Sequence, residues 1–348
     1  MIQSAKISRG ILTFVLLVPL LTLAHEAPAV DNEPTWRADG ADCAIAATPD
    51  ILYVGNTSSV QAIDPVNADV LWTRQTDGAV WALAISPSVI FAGGEFMNYS
   101  GDTRHRLVAF DGATGAPTAW NPGVNGAVYS LVQVGSTLYV GGGYSSIGGQ
   151  YRVAIAALDV DSGNATSWNP GANGAVQCMV VSGTTLYVGG SFTYIGGQPR
   201  NRIAAFDLTT GDITPWNPDA NNTVYCLAVS GQKVYAGGAF IAIGGQARSH
   251  LAALNATLDE DNATAWNPNA IKDGSWDGLA KGYVYAITLF GSKMFVTGDF
   301  GTVGGAVVSA LAELDLKSNT YNATAWRPFE PRLEHEHEGS CLAISDLK

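Results

Sequence analysis

The sequence predicts an all-β fold, a β-propeller of four-stranded blades, because one unit of 48 residues recurs along most of the chain. The tryptophans that close successive units keep this spacing at first and wider spacings later: Trp72, Trp120, Trp168, Trp216, Trp266 and Trp326. Periods of ~40–50 residues are typical of propeller blades. One blade cannot bury both of its apolar faces, whereas a ring of blades can, and it leaves only short protected edges.

Four strands fit into each unit, at about twelve residues for a strand and its turn. Strand a, for example residues 224–229, is apolar on both faces, as expected of a strand packed between two sheets. Strand b (233–238) ends in a glycine pair, and we interpret the glycine pairs as strand features that fit close backbone approach or a bulge. Strand c covers 202–207, and strand d ends at Trp216.

The turn between strands c and d is predicted from Asp207 and Gly211. An aspartate can bond its own backbone two residues on, and glycine supplies a positive φ. The same spacing recurs at residues 111–115 and 159–163, and Asn319 replaces the glycine in the sixth unit.

The domain organisation is predicted as a signal peptide (1–24), a short leader (25–35) and one propeller domain (36–348). Six complete units lie between an isolated strand d at Trp36 and an isolated strand a near the end. This pattern favours six blades, with residues 340–346 closing the ring. A seven-bladed ring is the alternative.

The N-terminus predicts secretion. Lys6 and Arg9 precede an apolar run over 11–23, and small residues follow at 22–24, as in a cleavable signal. The run is short for a membrane span. We therefore expect an extracellular or cell-surface protein with no membrane span after cleavage.

Charge and cysteines narrow the class further. The net charge of −12 with no basic cluster argues against nucleic acid as a partner. The four cysteines, Cys43, Cys178, Cys226 and Cys341, occupy the same place in strand a of different units. Equivalent residues of sheets ~10 Å apart cannot approach within the ~7 Å that a disulfide needs. We expect free, small core residues.

The stretch Tyr187-Val-Gly-Gly-Ser-Phe-Thr-Tyr-Ile-Gly-Gly-Gln-Pro-Arg, followed by Ile203-Ala-Ala-Phe-Asp and Trp216-Asn-Pro, resembles the delta-60 repeat family of exported bacterial propellers. The resemblance covers nearly all of 36–346. The first unit, from Tyr53 to Trp72, is more similar to the repeat of quinoprotein-type propellers. The family implies a propeller at the cell surface or outside the cell, and it supplies no catalytic residue.

Several candidate binding residues stand out. Arg104, Arg152, Arg200 and Arg248 recur at the start of strand c, where a row of guanidinium groups could grip a carboxylate or phosphate. The structural alternative is that each arginine caps a turn or the Trp-Asn-Pro corner of its own blade.

Two irregular segments supply other candidates. Trp276, with Asp277, lies in an insertion before the sixth unit and could stack on a sugar or a partner. His335 and His337 alternate with glutamates and are weak metal candidates, because alternate residues of an extended segment share a face. A tolerated insertion and a solvated acidic loop are the respective alternatives.

Enzyme signatures such as a nucleophile elbow, a His-Glu-x-x-His pair or a phosphate-binding loop are missing from the sequence. We therefore expect no cofactor and a non-enzymatic binding or scaffolding module for an extracellular protein or glycan. The alternatives are a quinoprotein-like or hydrolase-type propeller enzyme and a self-assembling structural subunit. Seven sequons could carry glycans in a eukaryotic secretory route: Asn56, Asn98, Asn164, Asn221, Asn255, Asn262 and Asn322.

Overall fold

The computed structural model describes residues 44–86, 88–271, 282–308, 311–320 and 322–325, together with the backbone of 16–19 and 344–347. These residues form strands, turns and bends, and the described part of the chain contains no helix. The all-β prediction is confirmed.

Six consecutive antiparallel sheets make up the described domain, each running in the order inner, middle, outer strand. The inner strands, predicted as strand a, are Ala44–Ala47, Val80–Ile85, Ala127–Val134, Val176–Ser182, Val224–Ser230 and Tyr283–Phe290. The middle strands are Leu52–Gly55, Val89–Gly94, Thr137–Gly143, Thr185–Gly190, Lys233–Gly238 and Lys293–Asp299. The outer strands are Ser59–Ile63, Leu107–Asp111, Ile155–Asp159, Ile203–Asp207, Leu251–Asn255 and Leu311–Asp315.

Neighbouring sheets contact each other chiefly through their inner strands, so the sheets converge there and splay apart outwards. This is the arrangement of propeller blades around a common axis. In blades two to six a buried valine of the inner strand packs on the middle strand of the preceding blade, where a glycine leaves space for it. A Cβ on Gly141 would lie 2.6 Å from Cγ1 of Val176. The first glycine of the strand pair is thus needed for blade-to-blade approach.

The fourth strand of each blade is shorter than the sequence suggests. It is a full ladder strand, Val70–Gln75, only in the first described sheet. In the next five sheets it is held by a single bridge to the outer strand, as between Phe206 and Ile213.

The closing tryptophans compensate for this weak pairing by joining neighbouring blades. The Trp216 indole donates from Nε1 to the carbonyl of Asn255, in the c–d turn region of the next blade, at 3.0 Å. Its ring also contacts Tyr187 edge-on, with centroids 5.1 Å apart. Equivalent bonds run from Trp72, Trp120, Trp168 and Trp266.

A short hairpin between the middle and outer strands was not predicted. In the fourth blade Tyr194–Ile195 pairs with Gln198–Pro199 across Gly196 and Gly197, whose φ angles are +61° and +75°. Two positive φ angles in a two-residue loop favour glycine. The interpretation of every glycine pair as a strand feature was therefore wrong for the second pair of units three to six.

The predicted c–d turn is confirmed. The Asp207 Oδ1 accepts hydrogen bonds from the backbone nitrogen and the hydroxyl of Thr209, at 2.7 and 2.6 Å. Gly211 has a φ of +81°.

The free-thiol prediction agrees with the two cysteines that are described, Cys178 and Cys226. Cys43 and Cys341 lie outside the described residues.

Near the end of the chain, Ile344–Leu347 forms a strand that lies against the inner strand of the sixth blade. It pairs in parallel with Leu16–Pro19, inside the segment predicted as a signal peptide. Residues 340–343 lie outside the described residues, and closure of the ring by 340–346 stays a prediction.

Candidate functional site

The arginine row is bonded within its own blades. In each case Nη1 donates to the carbonyl of the preceding residue, and Nη2 donates to the carbonyl of a threonine in the fourth strand of the same blade. For Arg200 these acceptors are Pro199 and Thr214, at 2.9 and 3.0 Å. The guanidinium therefore fixes the short fourth strand to its blade, where a single bridge to the outer strand is the other backbone pairing.

This geometry corresponds to the structural alternative, because the forked end of each guanidinium is already occupied by backbone carbonyls. The Nε of all four arginines is buried without a partner in the described part of the chain. Burial lowers the pKa of Arg200 and of Arg248. Ligand binding by the row stays a prediction, and a ligand would have to displace these bonds.

The other predicted binding residues, Trp276, Asp277, His335 and His337, lie outside the described residues. Their roles therefore stay predictions.

The seven sequons divide by exposure. Asn56, Asn262 and Asn322 are 6%, 1% and 2% exposed, so the folded chain hides their side chains from a modifying enzyme. Asn98, Asn164 and Asn221 are exposed, and Asn255 is partly buried.

A β-bulge in the inner strand is the departure from regular pairing that recurs in most blades. In the third blade Val128 pairs with Gly142 and Ser130 with Gly141, so Tyr129 between them has no opposite residue. Bulges re-aim side chains and occur next to functional sites. The same shift recurs in blades two to six, and the bulged residues are Trp81, Tyr129, Gln177, Tyr225 and Tyr285.

These bulged residues are partly exposed, whereas the valines that precede them are buried. Their aromatic rings meet across blades. The rings of Trp81 and Tyr129 lie 5.2 Å apart at 32°, and those of Tyr225 and Tyr285 lie 5.6 Å apart at 43°. Tyr283 precedes Val284, the valine at the bulge of the sixth blade. Its ring centroid lies 6.2 Å from that of Tyr225, so it belongs to the second group. The inner strands thus present aromatic surface where the blades converge.

A carboxylate stands beside the first group. Glu95 follows the glycine pair of the second blade and is exposed. Burial, and secondarily the negative charge of Glu95, raise the pKa of Tyr129. In the third blade the equivalent residue is Gly143, over which the Tyr129 ring packs, because a Cβ there would lie 3.5 Å from it.

His250 is the one histidine that the described fold buries, at 8% exposure. Its backbone φ is +64°, as in the equivalent Arg106, Ala154 and Arg202. Its Nδ1 donates to the carbonyl of Ala270 at 2.8 Å. Burial lowers the pKa of His250, and its bond to Ala270 helps to hold the connection into the sixth blade.

Sequence reasoning missed the bulged residues because it treated strand a as uniformly buried. The signal was present: a large or polar residue follows each inner-strand valine of blades two to six, and alanine, serine or cysteine follows that residue.

Among the described residues no group of three or more histidine, cysteine or acidic side chains could hold a metal ion. No membrane-spanning helix occurs there either.

The blades and their repeats define the class of protein: a β-propeller with quinoprotein-like repeats. The chain belongs to the family described as outer membrane protein assembly factor BamB, whose model matches residues 22–217, more than half of the chain. This match supports the quinoprotein-like character predicted from the first unit. A comparison with curated proteins finds no match.

The solved structures that are similar to the chain include a natural propeller and two designed proteins. The crystal structure of BamB from Moraxella catarrhalis is 16% identical, with 77% of this chain and 83% of that chain covered and a TM-score of 0.46. The computationally designed Ika8 protein is 14% identical, with coverages of 88% and 91% and a TM-score of 0.49. The designed Ika4 protein is 15% identical, with coverages of 48% and 92% and a TM-score of 0.33. These TM-scores add nothing to the fold that the sheets themselves define.

Proposed function

We propose that this chain is an exported, non-enzymatic β-propeller that binds an extracellular protein or glycan and acts as a scaffold at the cell surface or outside the cell. The signal-like N-terminus supports export. The family description names an assembly factor, and from it we carry over the expectation that this chain works by binding other macromolecules. We further propose, from the motif at Tyr187, that its regular units are of the delta-60 type.

The observation that carries the proposal is the set of inner-strand bulges. Five blades hold the same backbone irregularity between a constant valine and a residue that is always small. The bulged residue itself differs in size and polarity, from tryptophan through tyrosine to glutamine. A rigid repeat with one variable, partly exposed position per unit suits recognition, because function is carried by sites grafted onto a regular fold.

Two measurements test the proposal. When cells express the full chain, the exported fraction should contain the protein cleaved after Ala24. Recovery in the cytosol with Met1 intact would overturn export. Arrays of glycans and of extracellular proteins should show saturable binding to the purified protein. Silence on the arrays together with turnover of a small substrate, or dye reduction after addition of quinone and calcium, would replace the proposal with an enzyme.

A further inference from the structure

Trp81, Tyr129 and Glu95 lie together where the second and third blades meet. The two rings belong to neighbouring inner strands and are tilted by 32° at a centroid distance of 5.2 Å. Both residues are bulged out of the ladder and partly exposed. Within the described residues, neither the Trp81 indole nitrogen nor the Tyr129 hydroxyl has a hydrogen-bond partner. The solvent-exposed part of the two rings is therefore open to a ligand.

Glu95 completes the group with a negative charge. Its side chain is exposed, and its charge acts on the Tyr129 phenol. The ion pairs of the described chain join Arg104 to Asp102 and Lys293 to Glu313, so Glu95 has no basic partner there. A carboxylate beside the electron-rich faces of two rings favours a positive group.

We propose that Trp81, Tyr129 and Glu95 form a receptor for a lysine or arginine side chain of a partner protein. The inference rests on the proposed function and names the chemistry of its partner. The aromatic rings attract the cation through their faces, and Glu95 supplies a charge-assisted hydrogen bond. The net charge of −12 steers a basic segment towards the protein.

A sugar is the competing occupant, since it also stacks on an indole. Sugar recognition draws on hydrogen bonds, for which the Tyr129 hydroxyl and the Trp81 indole nitrogen are the available groups, and only the hydroxyl can also accept. A cation needs the ring and not the hydroxyl. Tyr129→Phe therefore separates the two occupants, because it keeps the aromatic face and removes the hydroxyl.

The experiment uses a short, dye-labelled, lysine-containing peptide and the same peptide with its lysines acetylated, titrated against the full chain by fluorescence anisotropy. The lysine peptide should bind, and acetylation should abolish most of the binding. Trp81→Leu should weaken binding by roughly 2- to 30-fold, the range of a cation–π contact. Glu95→Gln should weaken it by roughly 1.5- to 5-fold, the range of an exposed ion pair.

Two controls make these losses specific. Asp161→Asn removes one exposed carboxylate from a c–d turn, so it changes net charge as Glu95→Gln does and should leave binding unchanged. Tyr129→Phe should bind the lysine peptide as the wild type does. Circular dichroism of each variant confirms the fold, and the exposed Glu95→Gln keeps the test valid if Trp81→Leu fails to fold.

Several results would overturn the inference: no binding of the lysine peptide at low salt, equal binding of the acetylated peptide, or equal losses from Glu95→Gln and Asp161→Asn. A glycan that binds the wild type and is lost in Tyr129→Phe would assign the rings to a sugar. In each case array binding that survives would leave the proposed function standing, so the two failures are distinguishable.

Discussion

Replacing Gly141 by alanine tests the packing of one blade against the next. The new Cβ would stand 2.6 Å from Cγ1 of Val176, well inside van der Waals contact. Val176 is fully buried and its χ1 is stiff, because it is β-branched. The third and fourth blades must therefore separate slightly or the valine must leave its rotamer.

We expect Gly141→Ala to lower the free energy of unfolding by about 1–3 kcal/mol, the usual range for overpacking a core. Val176→Ala alone should cost about 2 kcal/mol, from two lost methyl groups and the cavity they leave. Combined, the two changes relieve each other, because the new methyl occupies space that the valine vacated. The double variant should be more stable than the sum predicts by about 1–3 kcal/mol.

Urea denaturation followed by circular dichroism measures all four proteins of the cycle, and two neighbours serve as controls. Gly143→Ala, in the same strand, meets nothing closer than 3.5 Å and should be nearly neutral. Gly142→Ala would place its Cβ against the Ala127 carbonyl, which is backbone. It should therefore be destabilising and should not be rescued by Val176→Ala. Additive losses at Gly141 and Val176, or rescue of Gly142→Ala by Val176→Ala, would refute blade-to-blade packing as the reason for the glycine at position 141.

Three further outcomes are expected. Because burial raises the pKa of the Cys226 thiol, Cys226 should not react with a thiol reagent in the native protein and should react in denaturant; rapid native labelling at Cys226 would contradict its burial. Trp216→Phe should cost about 1–3 kcal/mol in urea denaturation, because it removes the indole bond to the Asn255 carbonyl and leaves that acceptor unpaired; an unchanged midpoint would mean that the bond contributes nothing. The bonds from Thr209 hold the pKa of Asp207 below its usual range, so its contribution is present at neutral pH and is lost as the pH falls below about 4. Asp207→Ala should therefore reduce the difference between the urea midpoints at pH 7 and pH 3. An unchanged difference would mean that this carboxylate does not contribute to the pH dependence of stability.

The blade and its turns could be predicted because they repeat. A turn such as Asp207 to Gly211 depends on local chemistry, and the close approach of Gly141 to a neighbour follows from the same residue recurring at the same place. The arginines were harder, because a guanidinium at the start of a strand suits a ligand and a backbone carbonyl equally well. Only in the folded chain is it visible that Arg200 bonds the Thr214 carbonyl of its own blade.

The inner-strand bulges escaped prediction for a different reason. A bulge shifts the register by one residue without changing composition, and Tyr129 in an unbroken strand would have pointed into the sheet interface. The hairpin at Gly196 was hidden because it immediately follows a strand that also ends in a glycine pair. Both features depend on pairing partners that are distant in sequence.

The tryptophan bonds have a consequence for synthesis. The acceptor of Trp216 lies 39 residues later in the chain, and Trp266 must wait 49 residues for the carbonyl of Asp315. A growing chain that leaves the ribosome therefore always carries one indole whose docking surface has not yet been made. Each blade can therefore complete its indole hydrogen bond only after the next repeat has been translated. A chain that stalls between repeats exposes the tryptophan of its most recently translated blade.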